Sequence, residues 1–97
     1  MPKGYWVSIY RVVSDPDRLA AYNALAGPAV RAAGGRTVVR GGRIVAHEAG
    51  TAVRTVLVEF ESFDEAVAAY GSAAYQEALA ALGDGAEREF RIVEGVD

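Results

Sequence analysis

A chain of 97 residues, 52% hydrophobic and 24% charged, has room for one compact domain spanning residues 1–97 and none for separate cofactor and substrate lobes. The absence of cysteine excludes disulfides, thiolate nucleophiles and cysteine-held zinc or iron–sulfur centres. A formal charge of −3 argues against a nucleic-acid partner, because Arg36, Arg40 and Arg43, the densest basic group, are too few for a phosphate-binding stripe.

Gly4 to Val13 is rich in aromatic and β-branched residues and reads as a strand. Ser14-Asp15-Pro16-Asp17 then supplies helix-start chemistry, with Asp15 as cap and Pro16 at the first helical position. Leu19, Tyr22, Ala26, Ala29, Val30 and Ala33 recur at helical spacing as far as Gly34-Gly35. Gly27-Pro28 is expected to bend or break this helix, since Pro28 has no N–H to donate. Arg36 to Arg40 reads as a short strand and Gly41-Gly42 as a tight hairpin turn or bulge. Extended structure is expected again over Arg43–His47, then a polar loop over Glu48–Ala52. Val53 to Phe60 is the cleanest strand. Ser62 and Glu65 fit a capping box opening a helix through Tyr70, and Ser72 caps a further helix ending near Gly83. Phe90 to Val93 closes the chain as a strand.

This order, β-α-β-β-α-β with the second helical region split, is the ferredoxin-like pattern of α+β proteins. It predicts a four-stranded antiparallel sheet with the helices on one face. Such a sheet should alternate apolar with polar residues, yet the first strand is apolar on both sides. Val7, Ile9, Val56, Val58, Phe60 and Ile92 are assigned to the helix-covered core. That phase leaves Trp6, Tyr10 and Leu57 on the open face, where a second copy packed sheet to sheet would bury them. A homodimer is therefore expected, with a small organic or anionic ligand near the sheets.

Lys3-Gly4-Tyr5-Trp6, Asp15-Pro16, Gly34-Gly35-Arg36, Val39-Arg40-Gly41-Gly42, Arg54, Glu59-Phe60, Tyr70, Ser72, Tyr75-Gln76 and Val93-Glu94-Gly95 occur in that order. As a set they resemble the bacterial family called domain of unknown function 1330, within the dimeric α+β barrel superfamily. The resemblance covers nearly the whole chain and implies a ferredoxin-like protomer dimerising through its sheet. It brings no established reaction. The wider superfamily holds cofactor-independent monooxygenases, haem enzymes, isomerases and stress-response proteins, so fold alone selects no function.

Candidate chemistry is sparse. His47, the lone histidine, is a candidate acid or base beside the plainer reading of a loop residue. Glu59 shares the expected dimer face with Thr55 and Leu57. Desolvation there would raise its carboxyl pKa and make it a proton carrier, whereas an ion pair with Arg54, Arg91 or a partner's arginine would make it structural. Trp6, Ser8, Tyr10, Arg40 and Arg54 are candidate ligand-contacting residues. Arg40-Gly41-Gly42-Arg43 offers N–H groups and guanidinium forks to an anion, beside its simpler use as a turn. Tyr22 and Tyr75 fall at helical core positions and read as structural. No spacing of metal ligands and no nucleotide loop is present, so neither metal nor cofactor is expected. The apolar stretches are too short to cross a bilayer, and the N-terminal residues lack a secretory signal's apolar core. A cytoplasmic protein without membrane contact is the expectation. The functions that fit are a homodimeric binding protein, a cofactor-independent monooxygenase- or isomerase-like enzyme, and a non-catalytic structural dimer.

Overall fold

The computed structural model describes residues 2–96. In chain order it holds β1 (Gly4–Val13), α1 (Pro16–Ala32), β2 (Arg36–Arg40), β3 (Thr55–Phe60), α2 (Phe63–Tyr70), α3 (Ala73–Leu82) and β4 (Ala86–Glu94). The four strands form one antiparallel sheet in the order β2-β3-β1-β4. This is the ferredoxin-like arrangement, with β1 and β3 central.

Local chemistry accounts for the helix boundaries. The Asp15 carboxylate accepts from the N–H groups of Asp17 and Arg18, Ser62 Oγ from Glu65, and Ser72 Oγ from Tyr75. Each cap satisfies N–H groups that a first helical turn leaves unpaired. Of the expected bend or break at Gly27-Pro28, the break does not occur: helix α1 runs unbroken through Pro28. The proline removes one i→i−4 bond, to Ala24. Its own ring is exposed, while Ala26, Ala29 and Val30 on the other side are buried and hold the last turns to the core.

Between β2 and β3 the expectation of a resumed strand fails. Gly41 and Gly42 both take positive φ, 68° and 89°, which suits glycine alone. They turn the chain out of the sheet instead of into a hairpin. Residues 43–47 form no strand, and β3 itself begins at Thr55, two residues later than expected. β2 pairs directly with β3, Arg36 opposite Glu59 and Arg40 opposite Val56. The closing strand starts at Ala86, earlier than the Phe90 expected.

The largest correction concerns the phase of β1. Its register sets Trp6 beside Val58 and Ile92, and Val7 beside Leu57 and Arg91. Trp6 and Tyr10 are therefore on the helix-covered side and buried, 2% and 5% exposed. Val7 and Ile9 are on the open side. The physical reason is volume. The helices present Ala26, Ala29, Ala66, Ala69 and Ala78 to the core, and such short side chains leave space that only large rings fill. Trp6 packs on Phe60, Tyr75 and Phe90 with ring centroids 5.0, 4.7 and 5.3 Å apart. Its indole N–H donates to the Ala66 carbonyl at 2.8 Å, so the polar edge of the ring is satisfied inside the core. Val56, Val58, Phe60 and Ile92 are on the core side as expected.

Candidate functional site

On the helix-covered side, β1 carries Trp6, Ser8 and Tyr10 at alternate positions. The register places Ser8 between Val56 of β3 and Phe90 of β4, with Arg40 of β2 beyond Val56. One step along, Tyr10 pairs with Arg88, and its N–H donates to the Arg54 carbonyl at 2.9 Å. Two cross-sheet rows result, Arg40–Val56–Ser8–Phe90 and Arg54–Tyr10–Arg88. Above them passes α1. Because its core-facing residues there are Tyr22, Ala26 and Val30, a cavity of about 520 Å³ remains between helix and sheet.

Its wall divides chemically. Trp6, Ala26, Val56, Val58 and Phe90 supply apolar surface, while Ser8, Tyr10, Tyr22, Arg54 and Arg88 supply donors, with Arg31 and Arg40 at the exposed rim. Arg88 reaches across the floor. Its Nη1 donates to the Tyr22 hydroxyl at 3.1 Å and lies 3.5 Å from Ser8 Oγ and from the Tyr10 hydroxyl. Its guanidinium also sits over the rings of Tyr22, Tyr10 and Phe90, 4.8–5.4 Å from their centroids, an attractive arrangement for a cation. Arg54 approaches Tyr10 from the other side at 5.6 Å. Its Nε is buried and has no hydrogen-bond partner. Behind the wall, the Tyr22 and Tyr75 hydroxyls are 2.7 Å apart. Burial, reinforced by Tyr22, pushes the Tyr75 phenol well above its ordinary range and keeps it neutral.

All five residues singled out as ligand-contacting, Trp6, Ser8, Tyr10, Arg40 and Arg54, line this one cavity. It lies under α1, on the opposite side of the sheet from the face to which Trp6 and Tyr10 were assigned. Glu59 and His47 are elsewhere. Glu59 is on the open face, where Arg36 of β2 and Tyr5 of β1 are its cross-strand neighbours. Arg36 pairs with its carboxylate at 2.7 Å and the Tyr5 hydroxyl donates at 3.0 Å. These bonds hold the Glu59 carboxyl below the usual range, in line with the ion-pair reading of this residue and opposite to the rise its proton-carrier reading needs. The partner is Arg36, not Arg54 or Arg91, because register puts Arg36 directly opposite. His47 is exposed in the β2–β3 loop, where its carbonyl accepts from Gly50 in a turn. Among the described residues no group of His, Asp and Glu side chains is placed to hold a metal.

Arg88, Tyr22 and Arg31 were missed as site residues. For Arg88 the signal was present: Ile92 was assigned to the core, and period-two alternation carries Phe90 and Arg88 to the same face. An arginine on an apolar strand face needs a reason. The cavity supplies one.

The sequence profile of the family described as "Domain of unknown function (DUF1330)" matches residues 3–96. The chain belongs to the DUF1330 family. No curated protein matches it. Among solved structures, this DUF1330 chain is similar to a protein of unknown function from Rhodopseudomonas palustris, at 15% identity and a TM-score of 0.74 over 99% of this chain and 84% of that one. It is also similar to a cofactor-independent oxygenase from Streptomyces nogalater, at 13% identity and a TM-score of 0.67 over 100% and 96%. A third is a dimeric ferredoxin-like protein of unknown function from Thermobifida fusca, at 17% identity and a TM-score of 0.60 over 96% and 91%. At these identities the likeness establishes the fold and leaves the chemistry to the site.

Proposed function

We propose that this DUF1330 protein is a homodimer, joined through its open sheet faces, in which each protomer binds a small organic molecule between α1 and the sheet. The observation that carries the binding reading is the cavity of about 520 Å³. Its size is within the range of small-molecule sites, and it combines an apolar wall with a few convergent polar groups, as such sites do. The dimer reading is supported by the uncovered sheet face. Val39, Leu57 and Val7 form one cross-strand row there, flanked by Tyr5, Ile9 and Val93. That apolar stripe, bordered on the same face by Arg36, Glu59, Glu89 and Arg91, gains by being covered. Thermal-shift measurement against a broad panel of aromatic metabolites and organic acids tests the binding reading. A rise in Tm with part of the panel is expected, and indifference to every compound overturns it.

A cofactor-independent enzyme remains the second reading, with one observation in its favour. The Tyr22 hydroxyl, held between Tyr75 and Arg88, is in the cavity wall, where a substrate proton or oxyanion would meet it. Glu59 and His47 give this reading no support, because neither lines the cavity. If the protein turns over a substrate, Tyr22→Phe should lower kcat with the fold intact, and Glu59→Gln should not.

A further inference from the structure

We propose that the cavity selects a carboxylate attached to a flat aromatic or conjugated body, its oxygens received by Arg54, Arg88 and the Tyr22 hydroxyl. This rests on the binding reading above and names the class of ligand.

Charge is the first argument. Four arginines line the cavity, Arg31, Arg40, Arg54 and Arg88, and no Asp or Glu lines it with them. None of the four is in a salt bridge among the described residues, whereas Arg11, Arg18, Arg36 and Arg91 on other surfaces each are. Partly burying guanidinium groups without a counter-charge is unfavourable, and an anionic occupant removes that cost. The second argument is the unpartnered, buried Arg54 Nε. Buried donors are normally satisfied, so an Arg54 side chain that lines the cavity with a donor unmet has bonding capacity to spare there.

The third is the direction of the tyrosine pair. Tyr75 is 1% exposed, and Tyr22 is the partner its hydroxyl meets. Were Tyr22 the donor, the Tyr75 proton would be left buried and unpaired. Tyr75 therefore donates and Tyr22 accepts, and Tyr22 also accepts from Arg88 Nη1. A phenol oxygen has two lone pairs and one proton. With both lone pairs used, the Tyr22 proton is free for an acceptor in the cavity, and accepting two bonds strengthens it as a donor. Donors thus converge from both sides of β1 and from the helix. An aromatic or conjugated body suits the rest of the wall, where the rings of Trp6 and Phe90 lie beside Val56 and Val58 and offer surface that an inorganic ion would leave unused. Planar bidentate geometry favours carboxylate over a bare halide or a neutral carbonyl.

Isothermal titration calorimetry on the full chain tests this with cinnamate, phenylacetate and 2-naphthoate, each beside its neutral amide, and with acetate and inorganic phosphate. Each acid of the set that fits should bind roughly ten-fold or more tighter than its amide, the difference a charge-assisted pair makes. Arg54→Gln should bring that ratio toward one. Arg54 makes no side-chain hydrogen bond or salt bridge among the described residues, so the variant keeps the fold, which far-UV circular dichroism checks. Amides binding as tightly as acids would overturn the carboxylate assignment and leave the cavity reading standing. Acetate or phosphate matching the aromatic acids would overturn the requirement for an aromatic or conjugated body. Failure of every acid and every amide would overturn the cavity reading itself.

Discussion

Two side chains on opposite faces of the sheet show how strongly placement governs what a residue does. Glu59 is ionised more readily in the folded protein than in the unfolded chain, because Arg36 and Tyr5 stabilise its charged form. A depressed folded-state pKa adds stability above the unfolded value, and that stability is lost as pH falls through the folded value. Wild type and Glu59→Gln should therefore differ in Tm at neutral pH and converge in acid, as paired thermal melts across that range would reveal. The effect should be small and weakened by salt, since the pair is at the surface. Trp6 presents the opposite case. Truncating a fully packed ring leaves a void its neighbours cannot close, so Trp6→Ala should cost about 3–5 kcal/mol in urea unfolding. A loss below 1 kcal/mol would contradict its position in the core.

At the level of elements, the close approach between β1 and the start of α2 sets a steric limit. A Cβ at Gly4 would collide with the Ser62 carbonyl and with Phe63 backbone atoms 2.6–2.8 Å away. Backbone cannot swing aside as a flexible side chain can. Gly4→Ala should lower the urea midpoint, with a loss of roughly 1–3 kcal/mol typical of overpacking. Element order was legible because each boundary carries its own local chemistry: Asp15-Pro16, Ser62 with Glu65, Ser72, Gly83. The β2–β3 connection was less so. Two glycines between β-rich segments are compatible with a hairpin, and only the pairing of β2 with β3, decided across the whole sheet, shows that they lead out of it. Pro28 leaves α1 intact for a related reason. A proline breaks a helix that has only its own hydrogen bonds, but α1 is also held by packing along the side away from the proline.

For the molecule as a whole, the proposed dimer would form on the open face. Val7 is in the central strand of that face, in line with Val39 and Leu57. Val7→Asp would set a carboxylate against its image across a two-fold interface. Size-exclusion chromatography with light scattering should find a dimer for wild type and a folded monomer for this variant. A wild-type monomer at micromolar concentration would remove the dimer reading without touching the cavity. That an apolar face remains uncovered was legible in β1, whose residues are apolar in both phases. Which phase faces the helices was not, because alternation is symmetric under a one-residue shift and says nothing about volume. The alanines of the three helices were the missing information, since they require rings opposite them. The same error moved the expected cavity to the wrong side of the sheet while leaving its residues together, because Trp6, Ser8 and Tyr10 share a face in either phase.

The position of Trp6 has an experimental consequence. It is the chain's only tryptophan, locked by the Ala66 carbonyl and forming part of the cavity wall. Red-edge-excited emission from the native protein therefore comes from a single indole in one environment. An occupant that touches it will quench or shift that light without any label, and the spectrum will move red only when the core melts. In the proposed dimer the two sheets pair on the side away from Trp6, so association should leave that emission unchanged.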